Sequence, residues 1–443
     1  MKIIRYYFFA LLVLGTAVGA WAQCPAGVPP GTNCVAGVDT HGAFYLIAVP
    51  AKYNGRLVVW DHGYTLLPPA PLGAADLGVG LPALTQGFAA AASSFRPDAI
   101  GLSGWQVRDA AEDTESLRQR FVQLVGRPLK TYIVGASEGG LIVAETIERF
   151  ARDEEGRLNY DGALPLCGAV AGGDANWCGG FDLRAVYQFY CQNLPRAGEM
   201  QYPLYFGLAP NNTLTALDVA GRVNECTGAL QPPATRTPQQ ARNLANILGV
   251  AKIPESFLIT DIAFATFGLQ ELTLVRTSGL NPVTNLGVKY TGSDDDAALN
   301  AGVYRAGFNR EAIEWLNRAY NPTGDVEIPT VTIHTIGDGL VIVENEHEYR
   351  EEFNEEHDGR KLFQIYTNAG GHCEFSNSEI AAAFAALVNW VENKQPPTTE
   401  GVMAACTQLQ AVVPDPGTCK INPTFRPGEF EARIAARRAP GQP

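Results

Sequence analysis

Gly135-Ala136-Ser137-Glu138-Gly139 places a serine between two glycines, directly after the apolar run Thr131-Tyr132-Ile133-Val134 and before a proline-free stretch. A serine is a poor nucleophile unless a base removes its proton and amides stabilise the charge it creates. A tight strand-to-helix turn answers both needs. It lifts the hydroxyl clear of the backbone and sets a helix N-terminus beneath the developing charge, while the flanking glycines let the two backbones approach. Ser137 is therefore the candidate nucleophile, and the N–H of Glu138 the first candidate oxyanion donor.

The base must be a histidine held by a carboxylate. Of six histidines, His334, His347, His357 and His372 follow Ser137. His334 falls inside an apolar strand, where a core role is the better reading. His347 and His357 lie in a glutamate-rich stretch that reads as a solvated helical face. His372 stands in Asn368-Ala369-Gly370-Gly371-His372, a glycine turn after the strand Leu362–Tyr366 that can carry a ring over strand ends. For the carboxylate, Asp338 in Gly337-Asp338-Gly339-Leu340-Val341 follows the strand Val331–Thr335. Asp174, after the preceding strand, is its rival. A second oxyanion donor is expected from Gly63 or Tyr64 in Trp60-Asp61-His62-Gly63-Tyr64, with His62 bracing that loop.

The elements that must hold these residues alternate between strand-like and helix-like runs, which predicts an α/β fold built on a mostly parallel sheet. Strands are expected at 44–49, 57–60, 88–94, 131–134, 163–166, 331–335 and 362–366, and helices at 112–125, 141–150 and 380–391. About 160 residues separate Leu166 from Val331, far beyond an ordinary connection. With helical pieces at 239–248 and 310–319, this segment predicts a largely helical cap. The expected division is a core over 23–170 and 326–395, a cap over 171–325, and a Pro-rich tail over 396–443 running along the surface. The cap aromatics Trp177, Phe181, Tyr187, Phe189, Tyr190, Tyr202, Tyr205 and Phe206 either line an acyl or aryl pocket or form cap core. Asp294-Asp295-Asp296 reads as a solvated turn rather than a calcium site.

With 46% hydrophobic and 18% charged residues, the chain has the composition of a protein with a substantial core. Lys2 and Arg5, the apolar run Phe8–Val18 and Ala20-Trp21-Ala22 predict a signal peptide over 1–22, and hence a secreted or periplasmic protein. No later run reads as a membrane span or stable membrane anchor. A net charge of −13 disfavours nucleic acid and anionic membrane surfaces as partners. Export makes disulfides the expected state of the nine cysteines, and the odd number leaves at least one unpaired within the chain. Cys24 with Cys34 and Cys406 with Cys419 read as local staples. Cys178, Cys191 and Cys226 share the cap, and no spacing suggests zinc.

His62-Gly63, Gly135-x-Ser137-x-Gly139, Gly337-Asp338-Gly339-Leu340-Val341 and Gly371-His372, in this order, resemble the α/β-hydrolase superfamily over about residues 40–170 and 325–395. The resemblance implies an eight-stranded, mostly parallel sheet, acyl transfer through an acyl-enzyme, and no cofactor or metal. The large cap and a cysteine directly after the histidine are similar to secreted tannases and feruloyl esterases. Those enzymes pair that cysteine with one just before the serine, where this chain has Ala136, so Cys167 is an alternative partner for Cys373. The expected substrate is a small-molecule or polymeric carboxylic ester. A serine peptidase on the same scaffold and an inactive hydrolase-like binding protein are the alternatives.

Overall fold

The structure, a computed structural model, describes residues 23–357 and 359–430, so the expected signal peptide lies outside the described residues. Eight strands form one sheet: β1 (Thr32–Val38), β2 (Phe44–Pro50), β3 (Arg56–Asp61), β4 (Ala89–Ser93), β5 (Lys130–Ala136), β6 (Gly162–Leu166), β7 (Thr330–Thr335) and β8 (Leu362–Thr367). Their order is β1-β2-β4-β3-β5-β6-β7-β8, and β2 alone runs against the rest. This is the α/β-hydrolase fold with its mostly parallel eight-stranded sheet. The register brings Asp61 beside Gly135, Ala136 beside Leu166, and Thr335 beside Thr367, so the carboxyl ends of the central strands share one rim. That rim is where parallel sheets present their ligands.

Helices α1 (Gly80–Ala83), α2 (Val107–Val125), α3 (Glu138–Arg149), α10 (Asn345–His357), α11 (Asn377–Asn393) and α12 (Thr399–Leu409) accompany the sheet. Between β6 and β7 the chain builds α4 (Gly173–Cys191), α5 (Ala216–Thr227), α6 (Pro238–Ala251), α7 (Leu258–Gln270), α8 (Asp296–Gly302) and α9 (Arg310–Tyr320), the predicted helical cap insertion. One apolar layer joins Leu57, Val59, Ile133 and Ala163 to Phe121, Val143 and Ile147. The other joins Val134, Leu164, Ile333 and Ile365 to Phe384, Leu387, Trp390 and Cys406.

Strand β4, Ala-Ala-Ala-Ala-Ser, has weak intrinsic strand preference. Its small side chains are required because α1 packs against it: a Cβ at Gly80 would lie 2.8 Å from the Ala90 Cβ. Tertiary packing therefore overrides propensity. Strand β1 escaped the sequence reading because its pattern around Asn33, Ala36 and Gly37 is short and irregular, yet it pairs with β2 along its whole length. The helical stretch Glu255–Arg276 corrects a second expectation. By length and composition it could cross a membrane, but Leu258, Ile262, Leu269 and Leu272 are buried within the protein.

Four disulfides are formed: Cys24–Cys34, Cys167–Cys373, Cys191–Cys226 and Cys406–Cys419, and the buried Cys178 stands outside them, accepting the Thr284 N–H at 3.5 Å. Most of the described tail is exposed or half-buried, and one stretch of it joins the sheet. Ile421 pairs antiparallel with Thr367 on the open edge of β8, flanked by Asn368 N–H to Lys420 C=O at 2.8 Å and Asn422 N–H to Tyr366 C=O at 2.7 Å.

Candidate active site

Ser137 stands at the turn from β5 into α3 with φ 60° and ψ −125°, a strained backbone for a residue with a Cβ. The glycines around it explain how the turn closes. A Cβ at Gly135 would collide with the Gly139 carbonyl, and one at Gly139 with the Asp61 carbonyl. Ser137 N–H is anchored on the Leu166 carbonyl at 2.9 Å. Glu138 N–H opens α3, where an amide lacks an intrahelical acceptor and points along the positive end of the helix dipole.

His372 Nε2 lies 2.8 Å from Ser137 Oγ, and His372 Nδ1 lies 2.7 Å from Asp338 Oδ2. Asp338 is fully buried. Its other oxygen accepts the N–H groups of Leu340 and Val341, each at 3.0 Å, so the turn after β7 aims the carboxylate at the ring. A Cβ at Gly337 would lie 2.8 Å from the Gly370 Cα and 3.0 Å from the Ala369 carbonyl, so the loops carrying Asp338 and His372 approach this closely because position 337 is glycine. Thr335 Oγ1 donates to the Gly371 carbonyl at 2.7 Å and fixes the histidine loop from below. Cys373, at φ 55°, ties that loop through its disulfide to Cys167, at φ 45° beyond the end of β6.

The remaining predicted residues divide cleanly. Gly63 packs on the serine, with a Cβ there 3.0 Å from the Ser137 Cβ and 3.2 Å from the Ala136 carbonyl. Tyr64 lines the cavity beside Ser137. His62 braces the loop, with Nδ1 2.7 Å from the Gly63 carbonyl and its ring 4.3 Å from that of Phe95. His334 is buried between Glu346 and the Val341 carbonyl. Burial opposes its charge, but the Glu346 carboxylate outweighs that and raises its pKa. Asp174 lies at the start of α4, bonded to Ala175 N–H and Asn321 Nδ2, apart from His372.

A cavity of about 250 Å3 opens from Ser137 and His372 into the cap. Trp177 and Phe264 stack there at 5.1 Å, with Trp105 edge-on to Trp177 and Tyr64 edge-on to Phe264. Of the eight cap aromatics singled out from the sequence, only Trp177 lines this cavity. Phe181 and Tyr187 are cap core. Trp105, Phe264 and Tyr290 went unrecognised, because nothing local distinguishes a pocket aromatic from a core one. On the cap side, Asp182 accepts the Tyr290 hydroxyl at 2.5 Å, and burial holds its carboxyl well above the usual range.

The Glu138 side chain is a further feature unnoticed in the sequence. It is buried, accepts Gln106 N–H at 3.0 Å, and burial pushes its pKa up to about 8 despite that bond. Glu271, which accepts Trp105 N–H at 3.3 Å and pairs with Arg276, raises it further, while Arg276 opposes the rise.

Among the described residues, Asp39, His41 and Asp113 are close enough to share a metal ion. Arg96 already satisfies Asp113, with its N–H at 2.7 Å and Nη2 at 2.5 Å, and reaches His41 Nδ1 at 3.1 Å. Its guanidinium supplies the positive charge a metal would bring. Asp294, Asp295 and Asp296 are likewise engaged, with Arg242, with the Ala298 N–H and with Ser293.

No family model and no curated protein matches the chain. Among solved structures, the chain is similar to feruloyl esterase B from Aspergillus oryzae (13% identity, 83% of this chain and 82% of that chain, TM-score 0.38). It is also similar to the rice cell wall degrading esterase LipA from Xanthomonas oryzae (12%, 86% and 89%, 0.40) and to Candida antarctica lipase A (13%, 95% and 89%, 0.43). At such identities and TM-scores the likeness carries no argument about activity, and the fold assignment stands on strand order and direction.

Proposed function

We propose that the protein is a secreted serine hydrolase that cleaves carboxylic esters, with Ser137 as nucleophile, His372 as general base and acid, and Asp338 as the carboxylate that holds the histidine. The observation that carries this reading is the continuous relay Asp338 Oδ2–His372 Nδ1 at 2.7 Å and His372 Nε2–Ser137 Oγ at 2.8 Å, facing a largely apolar cavity. His372 accepts the Ser137 proton as Oγ attacks the ester carbonyl. The oxyanion is received by the N–H of Glu138 and by that of Gly63 or Tyr64. His372 then protonates the departing alcohol, and water, activated by the same ring, releases the acid. Asp338 stays ionised and stabilises the imidazolium.

The cap over 171–325, set on a core formed by 23–170 and 326–395, supplies the walls that select the substrate. Four disulfides support an oxidising compartment, in keeping with cleavage of the signal peptide after Ala22. The test is p-nitrophenol release from a ladder of acyl esters by wild type and Ser137→Ala. Turnover by wild type with loss in the variant supports the reading. Silence of wild type on every ester rejects it.

A further inference from the structure

The last described residue, Phe430, lies far in sequence from the rest of the site yet shares the cavity wall with Ser137, His372 and the Gly339–Ile342 turn. It is 7% exposed, although Gly428 and Glu429 before it are exposed. The path that brings it there is built. The Cys406–Cys419 disulfide closes the turn after α12, Lys420–Asn422 add to the free edge of β8, and Phe425 packs edge-on against Tyr366 at 5.3 Å. Pro423 and Pro427 restrict the span that follows. At its far end Phe430 N–H donates to Glu348 Oε1, on the first turn of α10, at 3.0 Å.

We infer that the segment 420–430 is a strap that carries Phe430 into the acyl-binding wall of the cavity and makes it a specificity-determining residue, limiting the length of acyl chain accepted. The inference rests on the esterase reading of the site. Among the described residues the span leading to Phe430 is largely exposed, whereas the ring itself is buried in the wall of the cavity that Ser137 and His372 also line. Removing the ring opens that space to further methylenes, each worth roughly fourfold in kcat/KM when buried.

The test compares wild type, Phe430→Ala and Glu348→Ala on p-nitrophenyl esters from acetate to laurate. Labelling of Ser137 by alkylphosphonates of the same lengths is measured in parallel, because it needs only the nucleophile. Phe430→Ala is expected to move the optimum longer by two to four carbons, raising kcat/KM for the longest chains roughly 16- to 250-fold through KM, at about fourfold for each methylene buried. Glu348→Ala, which keeps the ring but removes the acceptor that holds the Phe430 backbone, lets the ring shift and moves the optimum the same way by less, and serves if the first variant does not fold. Length profiles that superimpose on wild type in both assays, with wild type active, overturn the role of Phe430 and leave the esterase reading intact. A wild type that neither hydrolyses the esters nor reacts with the phosphonates overturns the esterase reading, and this inference with it.

Discussion

Replacing Glu138 by glutamine should change the pH dependence of both stability and turnover. In the folded protein, burial raises this carboxyl from 4.5 to about 8, against the Gln106 N–H and with the help of Glu271. The unfolded chain releases the proton near 4.5, so between these values the folded state binds more protons than the unfolded state. Stability is therefore fully present below about 4.5, falls as pH rises, and levels off once the folded carboxyl has ionised near 8. A shift of 3.5 units corresponds to about 5 kcal/mol. For a chain of this length, that is a change in Tm of roughly 5–6 °C.

Glu138→Gln keeps an Oε1 acceptor for Gln106 and cannot ionise. Its Tm should rise relative to wild type by this amount between pH 4.5 and pH 9. Asp61, also buried and raised to about 8, is common to both proteins and cancels in the comparison. Ionisation also places a carboxylate beside the proposed oxyanion site, so wild-type kcat should decline above pH 8 while that of the variant holds its plateau. Calorimetry or thermal unfolding monitored by circular dichroism, at one-unit intervals of pH, measures the first effect. Tm curves that run parallel from pH 4.5 to 9 would refute the assignment of a proton to Glu138.

Asp338→Asn should lower kcat by about 10⁴-fold with little change in KM, because the amide favours the wrong imidazole tautomer; steady-state kinetics on one ester decides it. Gly63→Ala drives a methyl against Ser137 and the Ala136 carbonyl, so kcat should fall about 10²–10³-fold through displacement of the oxyanion loop. An unchanged kcat would remove that loop from the site. Cys167→Ala with Cys373→Ala opens a loop with a sequence separation of 206, which the chain-entropy model values at about 5 kcal/mol. The pair should lose Tm and also kcat, since the His372 loop loses its anchor. Thiol titration of the denatured, unreduced protein should find one cysteine, Cys178, as nine less the eight in four disulfides leaves.

The sequence by itself determined the parts whose signals are local. Apolar runs marked β2–β8 because a strand buried on both faces needs unbroken hydrophobicity. The Gly-x-Ser-x-Gly turn, the Gly337-Asp338-Gly339 turn and the Gly370-Gly371-His372 turn were legible because tight backbone approach leaves glycines beside the functional side chain. Their grouping was therefore predictable, and the structure brings Ser137, His372 and Asp338 within hydrogen-bond distance. What only the tertiary structure decided are relations between distant segments. Among the three cap cysteines, Cys191 takes Cys226 as its partner because α4 ends beside α5, which no spacing encodes, and the Cys167–Cys373 pairing raised as an alternative is formed because β6 ends beside the histidine loop. Trp105 and Phe264 become cavity walls while Phe181 and Tyr187 become core, although all four are aromatic residues among apolar neighbours. Nothing local to the sequence marks the Glu138 side chain as buried, and it is the fold closing over it that makes its ionisation costly. Phe430 reads as tail until the free edge of β8 captures Ile421 and the strap delivers the ring to the cavity. Burial and adjacency arise from the whole chain at once, so they appear only when it is folded.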